Sequence, residues 1–300
     1  MIHRTVTNLA ELHNVLSQLD ADGVWLFRGQ TDSSWGLIPS IFRGIDSLVP
    51  KYEDDDAEWI TRIERDIYRE FEQHARQYKP TGQSRWESLA LAQHYGTPTR
   101  LLDWTRSALI AAYFAVATFK PISAAVWCLN LRNYLFPPFL GRITKTYAHR
   151  VAVIHKVVGK RQPSFFQEVS RPFTSGPAGP PDPVDEVDEM DTGFLFILDP
   201  PRGDDRLRAQ DGLFTIYYSF DDYDLVWDLS QHFQQRETTI GKEMLCKIEI
   251  PEEKREALCR ELEMHDNMNW HRLIPDLVGL GKWLARNRNA EFAATEALRK

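Results

Sequence analysis

Arg28 stands at the end of an apolar run, Val24-Trp25-Leu26-Phe27, and is followed at once by Gly29 and Gln30. An arginine fixed at a strand end can grip a phosphate through its planar fork of donors, and an adjacent glycine lets a ligand approach the backbone. The structural alternative pairs the same arginine with a core carboxylate, for instance Asp103. A second cluster, His94 to Thr105, holds one His, three Thr, one Arg, one Asp and one Trp. Arg100 can bind phosphate bidentately, Thr97, Thr99 and Thr105 offer hydroxyls, and Trp104 offers a face to a planar ring. The same stretch also reads as a joint between two helices, with Asp103 or Thr105 capping the second and Trp104 in the core. A third segment, Arg206 to Thr215, places two cations before a Gln210-Asp211-Gly212 turn that enters a strand. It reads either as an anion- or ribose-contacting loop with Gln210 pointing into the site, or as a β-turn with solvated arginines.

These segments must be positioned by regular structure. Leu9, Leu12, Leu16 and Leu19 repeat at helical spacing behind an Asn8 N-cap with Glu11, and Asp22-Gly23 breaks that helix before the strand at Val24 to Phe27. Ile60, Ile63, Ile67 and Phe71 predict a helix from about Asp55 to Tyr78. The run Asp54-Asp55-Asp56 at its start suits the helix dipole and is not read as a metal site. A shorter helix spans Trp86 to Tyr95, and an apolar one carries Leu109, Ala112, Tyr113 and Val116 on one face. Strands are expected at Ala124 to Leu131, Arg150 to Val158, Gly193 to Leu198, Gly212 to Ser219 and Met244 to Ile250. Helices near Glu252 to Met264 and Pro275 to Asn287 close the chain. Residues 172–193 carry five prolines, six acidic residues and no Lys or Arg, so they read as an inserted loop. The expectation is α+β in one unit spanning 1–300, with a helix-rich N-terminal half and an antiparallel-sheet-rich C-terminal half.

Composition removes several classes. The 300 residues have 36 basic against 43 acidic side chains, a net charge of -7 and a 43% hydrophobic content, which is that of a globular protein and excludes wholesale disorder. No apolar run is long enough to cross a bilayer, and Met1 to Thr5 leads into no signal-peptide core, so a cytoplasmic protein without membrane contact is expected. Cys128, Cys246 and Cys259 form no CxxC pair, and the nine histidines show neither HExxH nor HxH, so no metal is expected. GxGxxG, Walker A and GxSxG motifs are absent. Nine Trp, ten Tyr and sixteen Phe remain as an aromatic excess. The acidic average argues against a general affinity for nucleic acid, yet Arg28, Arg43, Arg100, Arg206 and Arg208 make the three segments locally basic.

Taken together, the segments resemble the FRG family of bacterial and phage-borne proteins, named for a Phe-Arg-Gly triplet, here Phe27-Arg28-Gly29. The likeness continues through Gln30, Trp35, Leu37-Ile38-Pro39-Ser40 and Phe42-Arg43. It resumes at Leu91-Ala92-Gln93-His94-Tyr95-Gly96-Thr97-Pro98-Thr99-Arg100-Leu101-Leu102-Asp103-Trp104-Thr105 and at Ala111 to Ala115. It returns at Arg208-Ala209-Gln210, Gly212-Leu213-Phe214 and Ile274-Pro275-Asp276-Leu277. The resemblance implies an architecture similar to ADP-ribosyltransferases and a place in phage defence or a toxin system. NAD would then be the substrate, cleaved at its nicotinamide–ribose bond. Arg28, with Gly29 and Gln30, would hold the pyrophosphate. Thr97, Thr99 or Thr105 would fix the ribose beside Arg100. Trp104 would stack on nicotinamide, and Tyr113 and Phe114 would lie nearby. Gln210 would fill a third motif in which those enzymes carry a glutamate. A glutamine can position ribose but supplies no charge, which leaves Asp103, or Glu237 and Glu243 without a motif behind them, to stabilise an oxocarbenium-like transition state.

Two rival expectations stand beside this one. Arg28, Arg100, Asp103 and His94 could surround a phosphate for phosphoester or nucleotide hydrolysis. Alternatively, the aromatic-rich segments Trp25 to Trp35 and Trp86 to Trp104 could form the surface of a non-catalytic module that senses a nucleotide, a nucleic acid or a phage protein. The partner expected first is a small anionic nucleotide ligand, to which the transferase reading adds a protein or nucleic-acid acceptor.

Overall fold

Every residue from Ala124 to Asn130 is buried. A strand covered on both faces reads as a continuous apolar run and must lie inside a layered structure. The computed structural model, which describes residues 1–43, 56–78, 85–118, 120–135, 193–198, 205–219 and 228–297, places it in a sheet. The strands are β1 (Ile2–Thr5), β2 (Trp25–Gln30), β3 (Leu102–Thr105), β4 (Ala124–Asn130), β5 (Gly193–Leu198), β6 (Gly212–Ser219) and β7 (Leu245–Ile250). Their order is β1-β7-β4-β2-β3-β6-β5, parallel between β1 and β7 and antiparallel elsewhere.

Side chains alternate across the sheet, so each strand feeds two cores. Phe27, Val126, Cys128, Cys246 and Ile248 face one core, with Leu9 and Leu12 of α1 (Leu9–Ser17) and most of α4 (Ala108–Val116). Leu258 and Leu262 of a later helix, Arg255–Asp266, pack there too, as do Trp270 and Leu273 of the short helix Trp270–Leu273. Leu26, Leu102, Trp104, Trp127, Leu129 and Leu213 face the second core, with Leu229 and Phe233 of the helix Leu229–Ile240. The remaining helices are α2 (Asp56–Ala75), α3 (Arg85–His94), α5 (Leu131–Leu135), α6 (Asp205–Ala209) and the final Leu277–Ala297. With these, Leu229–Ile240 is α7, Arg255–Asp266 is α8, Trp270–Leu273 is α9 and Leu277–Ala297 is α10. Among the described residues no helix is long and apolar enough to cross a membrane.

The α+β class and the largely antiparallel sheet agree with the sequence. The described strands are shared between the halves, β1 to β4 before residue 131 and β5 to β7 after it. Strand β3 was hidden because four residues give too little alternation to register, and its identity comes from pairing with β6. Asp103 and Thr105 therefore sit in a strand, and it is Ser107 that caps α4, accepting the Ile110 N–H at 3.3 Å. The α1 cap is as expected: Asn8 Oδ1 accepts the Glu11 N–H at 2.9 Å, and Glu11 accepts the Thr7 N–H in return. The strand expected at Arg150 to Val158 and the loop at 172–193 lie outside the described residues.

Helix α4 lies so close to β2 that Gly29 has no room for a side chain. A Cβ there would sit 1.9 Å from the Ala111 carbonyl oxygen and 2.8 Å from the Ala115 nitrogen, both backbone atoms. The glycine of the Phe-Arg-Gly triplet thus serves helix packing, and its backbone faces α4 instead of an open approach for a ligand. Arg255 holds the other end of this helix. It is fully buried, and its guanidinium donates to the carbonyls of Ala115, Thr118, Lys120, Ile122 and Thr31 at 2.7–3.1 Å. A cation here completes the orphan carbonyls of a helix C-terminus and complements its dipole. Burial pushes the Arg255 pKa down, while Cys259, Glu252 and Asp32 oppose that shift. Gly29→Ala forces either strand or helix to move and should lower unfolding stability by about 3 kcal/mol, the upper range for overpacking. Urea denaturation beside the wild type checks this.

Candidate functional site

Strand parity puts Leu26, Arg28 and Gln30 on the face opposite α4. Gln30 is spent structurally: its amide donates to the Gly36 carbonyl at 2.9 Å and accepts from Trp127 Nε1 at 2.7 Å. Arg28 behaves differently because the β2–β3 ladder is short. Phe27 and Thr105 are the single bridging pair, and one step further Arg28 Nη1 donates to the Asp103 carbonyl at 2.7 Å. The guanidinium takes a backbone acceptor that a ladder hydrogen bond would otherwise use. Its contact with the Asp103 carboxylate is longer, 3.4 Å to Oδ2. The Arg28 side chain is 11% exposed and that of Asp103 55%, so this is not the buried ion pair that the sequence allowed. Arg28 Nε is buried and has no hydrogen-bond partner among the described residues.

Arg43 brings a second guanidinium to the same end of the sheet. Partial burial, then the like charge of Arg28, push its pKa down, and Asp103 opposes them. Its Nε donates to the Ile38 carbonyl at 3.0 Å, which fixes the stem. The turn that carries it, Ser40–Phe42, is fastened to Thr99: Ser40 Oγ accepts the Thr99 N–H at 3.0 Å, and the Thr99 carbonyl accepts from the Ile41 N–H at 3.2 Å.

The residues of the second block divide by this geometry. Thr99 is buried, and its hydroxyl donates to Gln93 Oε1 at 2.7 Å and accepts the Leu101 N–H at 3.0 Å. Thr97 is half-buried, and its N–H closes the end of α3 on the Ala92 carbonyl at 2.9 Å, beyond a left-handed Gly96 with φ 85°. Arg100 is held by Glu64 of α2, which also accepts the Arg100 N–H at 3.2 Å. Burial raises the pKa of Glu64 and Arg100 opposes it. Trp104 is 3% exposed with its Nε1 on Thr215 Oγ1 at 2.8 Å, so it is core and cannot stack on a ligand from this position. Tyr113 is fully buried on α4 against Trp270, with its hydroxyl 3.4 Å from Glu263, and burial raises its pKa. It belongs to the core on the other face of the sheet, as does Phe114, which packs against the same Trp270. Of the aromatic segments expected to form a surface, Trp35 is 42% exposed, with Lys120 Nζ 4.8 Å over its ring.

The third block joins the second through Thr105, whose hydroxyl donates to the Gln210 carbonyl at 2.7 Å. The Gln210 side chain is turned away to the Leu273 carbonyl at 3.0 Å, which makes it an anchor of the turn. Asp211 adopts φ 44° and pairs with Arg106 at 3.3 Å. Arg206 pairs with Asp276 and approaches His94 Nε2 at 3.5 Å, so His94 stands beside Arg206. Arg208 makes an exposed pair with Asp205 at 2.5 Å. Glu237 accepts the N–H groups of Met244 and Leu245, each at 2.7 Å, and Glu243 is exposed. The Met244 carbonyl bonds Asn130, which faces Trp25, so both glutamates belong to the Trp25 end of β2 and not to the Arg28 end.

One residue ties the blocks together without having been singled out from the sequence. Gln93, at the end of α3, donates to Asp103 Oδ2 at 3.0 Å while accepting from Thr99. Its neighbour His94 reaches Arg206. Residues 23–122, which contain this whole arrangement except Arg206 and Gln210, match the family model described as FRG domain. The chain carries an FRG domain. No curated protein and no solved structure matches the chain. Within the FRG domain, Arg28, Arg43, Gln93 and Asp103 form the candidate site, and Ser40, Glu64, Thr99 and Arg100 support it. Glu64 escaped the sequence reading, and Gln93 entered it only as part of the Leu91–Thr105 block with no role of its own, because a lone polar residue in a helix carries no positional signal. Asp276 stands outside that core and docks α10: it accepts the N–H groups of Val278 and Gly279 at 2.8 and 3.0 Å. The Gly279 N–H first, and then Arg206, hold its carboxyl below the usual aspartate range. A depressed folded value stabilises the fold above the unfolded aspartate pKa and is lost as pH falls through the folded one. Asp276→Asn should therefore flatten the acid limb of the melting-temperature curve between roughly pH 5 and 2.

Proposed function

We propose that the Arg28 end of strand β2 binds the phosphate groups of a nucleotide, with NAD the first ligand to consider. The observation that carries this is the charge balance of the site. Among the described residues, two guanidiniums, Arg28 and Arg43, meet one carboxylate, and that carboxylate is largely exposed. Arg28 is aimed by a backbone carbonyl, which does not cancel its charge, and its contact with the Asp103 carboxylate is long, 3.4 Å. A phosphate supplies the acceptor oxygens and the negative charge that such a pre-aimed fork lacks.

A second reading, cleavage of NAD, has one specific feature in its favour. Asp103 is a carboxylate beside Arg28 on a strand, where the sequence pattern alone left the third motif without an acid. With the pyrophosphate on Arg28, the nicotinamide–ribose bond would break with its electron pair leaving on nicotinamide. Asp103 would stabilise the oxocarbenium-like ribose until water or an acceptor group adds. Gln210 would act by holding the Gly212 turn against Thr105, not by touching ribose.

Calorimetric titration with NAD, ADP, pyrophosphate and inorganic phosphate tests the binding claim, and mass spectrometry of nicotinamide tests turnover. Arg28→Ala should weaken nucleotide binding more than about tenfold, the loss of at least one charge-assisted hydrogen bond. Arg28→Lys, which keeps the charge and loses the fork, should fall between. Wild-type protein that binds none of these, or an Arg28→Ala variant that binds them equally well, contradicts the reading.

A further inference from the structure

Arg28 makes two contacts with the same residue, and they differ in kind. The bond to the Asp103 carbonyl, at 2.7 Å, belongs to the backbone and persists whatever side chain stands at 103. The contact to the carboxylate, at 3.4 Å, lies beyond the usual 2.7–3.2 Å range and involves a group that is 55% exposed. Exposed ion pairs of that kind contribute little to stability. The carboxylate is also shared: Gln93 Nε2 holds the same Oδ2 at the shorter distance of 3.0 Å, and Thr99 fixes which end of the Gln93 amide faces Asp103. The side chain that neutralises Arg28 is therefore weakly held by it and accessible to solvent.

We propose that Asp103 is a displaceable internal counter-charge, closing Arg28 to singly charged anions and yielding to a ligand that carries two or more negative charges. The inference rests on the reading of Arg28 as a phosphate-binding residue and narrows its ligand class to pyrophosphates and other polyanions. A monoanion entering the site replaces one charge by another and remains close to the displaced carboxylate. At about 4 Å in water that repulsion costs about 1 kcal/mol, roughly what an exposed ion pair returns. A second ligand charge can engage Arg43 as well, and the exchange becomes favourable.

Asp103→Asn isolates the effect, because the main-chain bond to Arg28 and a polar side chain for Gln93 are both retained. Calorimetry with pyrophosphate and with nitrate, on wild type, Asp103→Asn and Asp103→Ala of equal melting temperature, gives the readout. Both variants should bind pyrophosphate about fivefold tighter or more, the fold-change of one removed unit-charge repulsion. Both should acquire a measurable affinity for nitrate that the wild type lacks. Wild type that binds pyrophosphate while the variants bind it no tighter, or more weakly, overturns the counter-charge and leaves phosphate binding standing. Absence of pyrophosphate binding in all three proteins overturns both.

Discussion

The closeness of helix α4 to strand β2 governs the rest of this molecule. A helix backbone seated on Gly29 leaves that face of the strand no room for anything else, so chemistry at the Phe-Arg-Gly triplet must occur on the opposite face or at the strand's open edge. Arg28 takes the opposite face, where the β2–β3 ladder is short. Arg255 secures the arrangement from the far side by gathering carbonyls from the end of α4, the loop to β4 and the exit of β2, without any carboxylate partner. Removing it would leave buried carbonyls unsatisfied in three segments at once, a costly outcome in a low-dielectric interior. The triplet therefore encodes two separate things: a packing requirement at the glycine and a charge at the arginine.

The polar residues between the two cores are divided in the same way. Thr99, Arg100, Thr105, Gln30 and Gln210 carry the groups expected to grip a nucleotide, but each has its hydrogen-bonding capacity directed at another part of the chain. They position the site and do not line it. Among the described residues, what is left incompletely matched at this end of the sheet is small: Arg28, Arg43 and the exposed Asp103 carboxylate with Gln93 behind it. That economy suits recognition of a charged group better than enclosure of a whole planar ring, since Trp104 is committed to Thr215 and Tyr113 to the opposite core.

Much of the fold was legible from periodicity. Strands 193–198 and 212–219 coincide with their apolar patterns, and α1, α3 and α4 begin or end where Asn8, Gly96 and the apolar face of Leu109 to Val116 suggest. Strand β3 was not legible, because pairing with β6 and not local alternation decides it. The same limit applied to the site. Residue types and spacing singled out Arg28 and Asp103, which the structure brings into contact, since a strand-end arginine and a nearby aspartate are chemically conspicuous. They could not show that Trp104 faces inward or that Gly29 serves a helix, since both depend on which side of a strand meets which layer. Glu64 and Gln93 act only through partners 36 and 10 residues away in sequence, a relation that no local motif records.

The central claim is that Arg28 holds a pre-aimed guanidinium, only weakly matched by Asp103, that takes a polyanion. Its Nε–H proton reports on this guanidinium, because the Nε has no acceptor among the described residues while the Nε groups of Arg43 and Arg100 have one. In a nitrogen-15 side-chain arginine spectrum, titration with pyrophosphate should shift the Arg28 Nε–H resonance downfield and slow its exchange with water, leaving the Arg100 and Arg255 resonances in place. An Arg28 resonance that stays fixed through the titration, or that moves no more than that of Arg100, would contradict the account.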